Sequence, residues 1–182
     1  MKSISITPEL KLRHLTENDA PEVFALVDRN RERLRSWMPW VDATRTQQDS
    51  LAFIQSRIKD QSRGDHQFGI IHHKRIAGLI GFVRSNPEQG SSMLGYWLDA
   101  QEVGKGLITR STEALLKLGF TKLGLKKIII RAQPTNIRSC AVPERLGFTK
   151  EGIAKQAERL NGVDVDLQIY GLLHSQWQKN NS

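Results

Sequence analysis

Apolar and polar residues alternate over residues 10–15 (LKLRHL), the period-two pattern of a strand with one buried face. The period then lengthens. Thr16 and Asp19 precede Pro21, a helix-start signal, and Val23, Phe24 and Val27 follow at helical spacing. A second helix is expected over about 31–37, stopped near Pro39, and a third over 48–62 with Leu51, Ile54 and Ile58 on one face. Strands over 67–71 and 76–84 flank a turn at 72–75, and a turn at 86–90 leads into an apolar, aromatic strand at 93–98. Leu107, Ala114, Leu115 and Leu118 mark the next amphipathic helix, and residues 127–132 (KIIIRA) read as a buried strand. Asn136 caps a short helix to about 146, and 148–152 and 164–173 supply the last strands before a frayed tail at 178–182. Helices fall between strands in mixed order, which predicts an α/β fold: a mixed central sheet with helices on both faces.

Composition narrows the class without naming an activity. The 182 residues are 38% hydrophobic and 25% charged, as expected of one globular domain spanning 1–182. No apolar run approaches the roughly 18 residues that cross a bilayer, and the N-terminal ten residues lack a signal-peptide pattern. Cys140 is the single cysteine, so no internal disulfide can form, and a cytoplasmic location is expected. The net charge of +8 suits an acidic partner, but the cations are scattered and no nucleic-acid motif is present, so direct nucleic-acid binding is not expected. The five histidines show no metal-ligand spacing, and no metal is expected.

Chemistry concentrates between the 93–98 strand and the helix at Leu107, where the chain reads Gln101-Glu-Val-Gly104-Lys-Gly106. Glycines at a helix start let main-chain N–H groups approach an anion closely, and the helix dipole adds about half a positive charge. A P-loop is excluded because its string is absent, and the third glycine of a dinucleotide fingerprint is replaced by Thr109.

A strand, Gln-x-x-Gly-x-Gly and a helix resemble the acyl-CoA pyrophosphate loop of the GCN5-related N-acetyltransferases (GNAT), and the chain resembles their RimL/RimJ-like ribosomal-protein N-terminal branch. The pieces are Arg35-Ser-Trp-Met-Pro-Trp40, Gly95-Tyr-Trp-Leu-Asp99, Asn136-Ile-Arg-Ser139, Leu146-Gly-Phe148 and Lys155-Gln-Ala-Glu-Arg-Leu-Asn-Gly162. Two departures are Met93, where relatives usually carry glutamate, and Pro143, inside the predicted 136–146 helix. The resemblance implies a sheet whose central strands splay to admit acetyl-CoA, with Leu98, Val103, Gly104, Lys105, Gly106, Leu107, Thr109, Asn136 and Ser139 as coenzyme contacts. It implies Glu158 as general base, Ser139 as general acid, and Trp37 and Trp40 walling the acceptor pocket. Read alone, Glu158 is a solvated carboxylate paired with Arg159 or Lys155, Asn136 and Ser139 are first-turn helix residues, and the tryptophans are core packing. Tyr170, another hydroxyl to consider as the acid, reads as core.

The implied reaction is acetyl transfer from acetyl-CoA to the N-terminal Ser or Ala amine of a ribosomal protein, by direct attack in a ternary complex. An acidic stalk protein suits the charge, and relatives suggest a homodimer. The alternatives are acetylation of a small amine (polyamine, amino acid or aminoglycoside) and a non-catalytic acyl-CoA-binding module.

Overall fold

The alternating segment at the start becomes β2 (Leu10–His14), with Leu10 and Leu12 buried and Lys11 exposed, in a computed structural model that describes residues 3–180. It pairs antiparallel with β1 (Ser3–Ser5) and with β3 (Gln67–His72). The sheet continues through β4 (Arg75–Asn86) and β5 (Ser91–Leu98), then β6 (Lys127–Ala132), β8 (Val163–Leu173) and β7 (Thr149–Leu160). The spatial order of the eight strands is β1-β2-β3-β4-β5-β6-β8-β7. Among the described residues only β5 and β6 pair in parallel, and α4 (Leu107–Thr121) makes the crossover that such a pair needs.

Consecutive β residues point to opposite faces. Ile71 and Leu79 therefore pack with Val23 and Leu26 of α1 (Ala20–Arg29) and Ile54 of α3 (Gln47–Asp60), whereas Ile70 and Ile80 pack with Leu107, Leu115 and Phe120 of α4. The mixed sheet with helices on both faces is as expected.

Its central strands diverge. The β5–β6 register holds only at Ser91–Lys127, Ser92–Ile128 and Met93–Ile129, so the rest of β5 and the end of β6 part around a gap. On either side of it lie α2 (Arg31–Arg35) and α5 (Ile137–Arg145).

Several local expectations change. His72 and Arg75 belong to strands and pair with each other, leaving His73 and Lys74 (φ 46° and 67°) as a left-handed two-residue turn that matches the strand twist. The residues expected to fray are helical to Asn180: α6 (His174–Asn180) docks Trp177 on Phe120 with ring centroids 5.4 Å apart, and 181–182 lie outside the described residues. β7 runs to Leu160, well past the expected end at 152, and carries Glu158 on a strand. β1 escaped notice because three residues are too few to show a period. Among the described residues, no helix is long and apolar enough to cross a membrane.

Candidate active site

At the start of α4, Gly104 (φ 85°) and Gly106 (φ 71°) both take the left-handed conformation that glycine adopts without strain. A Cβ at Gly104 would meet nothing within 4 Å, and one at Gly106 only Arg110 Nε at 3.9 Å. Among the described residues, no protein acceptor receives the N–H groups of residues 104–109; the first helical bond runs from Arg110 N to Gly106 O. Arg110 also donates to Lys105 O (2.9 Å), and Glu102 holds Lys105 Nζ (3.1 Å) and His72 Nδ1 (2.7 Å), which fixes the loop from both sides. Open amides, open space and a helix N-terminus together fit a pyrophosphate. Lys105 and Thr109 lie on this cradle, while Val103 and Leu107 pack into the core beneath it.

The loop is anchored through the buried Asp99. Its carboxylate accepts from Arg29 and from Asn30 Nδ2 (3.0 Å), and Asn30 Oδ1 in turn accepts from Ala100 N (2.9 Å). Burial pulls the Asp99 pKa upward, but the hydrogen bonds from Arg29, Asn30 and Gln101 outweigh it and hold the group below the usual carboxylate range. Asp99 N bonds Ala77 O (2.7 Å), so Gly78 and Leu98 form a pair whose own amides turn apart, and those of Leu98 face the gap. Arg33 of α2 donates to the Leu98 carbonyl. The expected coenzyme contact at Leu98 is thereby narrowed to its N–H.

On the far side of the gap, Asn136 caps α5 as expected: its side chain accepts from Ser139 N at 3.2 Å. Pro143 removes the N–H that would bond the Ser139 carbonyl, and the Tyr96 hydroxyl donates to that carbonyl instead, at 3.0 Å. The kink-prone position is thus tied to β5, and Ser139 lines the cavity. Burial pushes the Tyr96 phenol far above its ordinary pKa, so it stays a neutral donor. Tyr170 is core, 1% exposed, with its hydroxyl on Glu144 (3.0 Å). Cys140 is buried with its thiol against Gln133 O.

A cavity of about 940 Å³ opens beside the gap, and Trp37, Trp40, Asn136, Ser139 and Glu158 all line it. Leu98 and the Gly104–Thr109 cradle lie outside it. Trp40 leans on Trp97, with centroids 5.9 Å apart, and the β7–β8 hairpin closes toward this wall through Asn161 Nδ2, which donates to Arg35 O (2.9 Å). Glu158 pairs with Val165 in register, just after three residues of β7 (155–157) bulge opposite Asp166 and re-aim the strand. The cations that would neutralise it are engaged elsewhere: Arg159 with Asp164 (2.9 Å) and Lys155 with Asp166 (2.8 Å). Glu158 has no ion pair or side-chain hydrogen bond among the described residues. Burial lifts its carboxyl above the ordinary range, and the positive charges of Arg84 and Arg131 offset part of that rise. Sequence reasoning missed both arginines, Tyr96 and the Arg29–Asn30–Asp99 brace. Among the described residues, no cluster of three or more His, Cys, Asp or Glu side chains could hold a metal ion.

The acetyltransferase (GNAT) domain model matches residues 9–149, most of the chain. The chain belongs to this GNAT acetyltransferase family. Among curated proteins, this acetyltransferase is 28% identical to the ribosomal-protein-serine acetyltransferase of Escherichia coli K12 over 93% of the chain and 95% of the relative. It is 27% identical to the putative ribosomal N-acetyltransferase YdaF of Bacillus subtilis, over 98% of each. Among solved structures it resembles RimL, the ribosomal L7/L12 alpha-N-protein acetyltransferase, in complex with coenzyme A (TM-score 0.93, 28% identity, 96% of the chain and 99% of that structure). It also resembles the microcin C7 self-immunity acetyltransferase MccE in complex with acetyl-CoA and AMP (TM-score 0.88, 30% identity, 93% and 95%).

Proposed function

We propose that this acetyltransferase takes acetyl-CoA as donor and acetylates the N-terminal α-amine, Ser or Ala, of a ribosomal protein in the cytoplasm. The observation that carries the reading is Glu158: half-buried, unpaired, lifted in pKa, and facing a cavity that reaches Ser139 across the strand gap. The amides of 104–109 hold the pyrophosphate, and the gap between β5 and β6 leads the thioester toward the cavity. Glu158 accepts the proton of the ammonium, directly or through water. The freed nitrogen attacks the carbonyl carbon; as the carbon–sulfur bond breaks, the Ser139 hydroxyl passes its proton to the departing sulfur and regains one from the nitrogen, which loses its second proton in becoming the amide. No side-chain nucleophile is needed.

An α-amine titrates near 7.7–8.0 and a lysine near 10.4. A modest carboxylate base therefore suits an N-terminus better than a lysine side chain. An acidic stalk protein as acceptor matches the +8 charge, and the RimL relatives support the same choice. Incubation with labelled acetyl-CoA, ribosomal proteins and a panel of small amines tests this. Label on a ribosomal-protein N-terminus is expected; label confined to small amines refutes it. The small-amine reading has one observation in its favour, a cavity of about 940 Å³, within the size range that small ligands fill.

A further inference from the structure

Arg84 and Arg131 line the acceptor cavity from two strands on either side of β5. Arg84 reaches it by a distortion of β4. The register breaks between Val83 and Asn86, and Arg84 has φ 52°, an unusual conformation for a non-glycine residue. The Asp65 carboxylate holds this bulge by accepting from Arg84 N (3.1 Å) and Ser85 N (2.8 Å). Strict alternation would have turned Arg84 to the Phe82 side, into the core under α4. Arg131 sits two residues beyond Ile129, the last residue of β6 to pair with β5.

The one opposite charge acting on either guanidinium among the described residues is that of Glu158, at a distance and without contact. Among the described residues, neither forms an ion pair or a side-chain hydrogen bond. The other ionic groups around the cavity are already engaged: Asp49 caps α3 through Thr46, Arg57 pairs with Asp60 (2.8 Å) and Arg159 with Asp164 (2.9 Å). Met93, on the strand between the two arginines and on the cavity wall, brings no charge. What remains is two free cations and one carboxylate, Glu158, whose proposed role is to take a proton rather than to hold a guanidinium.

We propose that Arg84 and Arg131 form an anion subsite beside the amine position, so that the preferred acceptor is an amine with a carboxylate or phosphate close to it. The inference rests on the acetyl-transfer reading above and narrows its substrate. On a protein N-terminus the anion is an acidic side chain in the first few residues; on a free small molecule it is the acceptor's own carboxylate or phosphate.

The test separates binding from turnover. Calorimetry in the presence of coenzyme A measures binding of Ser-Asp-Glu-Ala-Ala-Ala-amide and Ser-Asn-Gln-Ala-Ala-Ala-amide, and of serine and serinamide; acetylation of all four is followed in parallel. The acidic peptide should bind about tenfold more tightly, the low end for a charge-assisted hydrogen bond. Arg84→Gln and Arg131→Gln should each shrink that ratio several-fold, and Met93→Glu should do the same by placing a carboxylate between them. A preference for serine over serinamide with none between the peptides keeps the anion subsite and moves the acceptor to the small-molecule class. Tight binding of the acidic ligand without acetylation keeps the subsite and refutes acetyl transfer to these amines. Equal binding within each pair, or a preference that survives all three substitutions, overturns the subsite.

Discussion

Replacing Tyr96 by Phe should unsettle α5 although the ring itself stays in place. Pro143 has no N–H, so the Ser139 carbonyl four residues earlier lacks its helical donor, and the Tyr96 hydroxyl supplies one at 3.0 Å. Without the hydroxyl, a part-buried carbonyl is left unsatisfied, at a cost of about 1–3 kcal/mol. For a chain of this size each kcal/mol lowers Tm by about 2–4 °C. The decisive arm is Pro143→Ala, which restores an N–H to the helix and gives the same carbonyl a donor of its own. In that background Tyr96→Phe should be nearly silent, so the two substitutions should couple by about 1 kcal/mol in a double-mutant cycle. Urea unfolding of the wild type, both single variants and the double variant gives the four free energies. Because the phenol pKa is pushed far above normal, the coupling should be flat between pH 6 and about 9. Additivity within about 0.3 kcal/mol would show that the Tyr96 hydroxyl does not replace the missing N–H.

Glu158→Gln should leave coenzyme affinity unchanged in titration and lower kcat about 10²-fold. The same change should stabilise the fold at pH 7: with its folded pKa raised, ionised Glu158 disfavours the native state above that pKa, and the gain should vanish below about pH 4, where Glu158 is protonated in both states. A Cβ at Gly106 meets no neighbour closer than 3.9 Å, but Gly106→Val must take φ 71° and puts a branched side chain over the amides, so the Kd for coenzyme A should rise about tenfold or more by calorimetry. Asp99→Asn should cost about 1–3 kcal/mol in urea unfolding, below the 3–5 of a fully buried pair because Arg29 is half exposed. Asp99 is held below its ordinary pKa, so its contribution is present at neutral pH and lost as pH falls through the folded value; the gap between variant and wild type should close on acidification.

What the sequence made legible was local. The period of two at 10–15, the strand, glycine loop and helix around Gly104, and the Asn136 cap are each set by residues within a few positions of one another, and each is where it was expected. What stayed hidden depends on register. Arg84 and Arg131 carry no signal of their own in the sequence; a bulge in one strand and the divergence of another bring both to one cavity. Tyr96 and Ser139 are 43 positions apart, and Asn30 and Asp99 are 69 apart, so no window of sequence could join them. The extent of β7 was within reach. Asn161-Gly162, left-handed at both residues (φ 49° and 84°), is a strong hairpin signal, and it places Glu158 on the strand leading into the turn.

The charges of the β7–β8 hairpin are sorted rather than scattered. Glu151 pairs with Lys127, Asp164 with Arg159 and Asp166 with Lys155, each at 2.8 or 2.9 Å, while Glu158 on the same ribbon pairs with none. Exposed pairs of this kind add about 0–1 kcal/mol each, so stability gives little reason for the arrangement. Their effect on Glu158 is larger, because they hold back the two cations nearest to it in sequence. Had Lys155 or Arg159 turned inward, the carboxylate would be stabilised in its charged form and weakened as a base. The bulge at 155–157, with Gln156 N on Asp166 Oδ1 (2.9 Å), keeps Lys155 on the outer side with Asp166. A carboxylate raised in pKa by burial and guarded from its own neighbours suits the proton-accepting role proposed for it, and the same sorting leaves Arg84 and Arg131 for the proposed anion subsite.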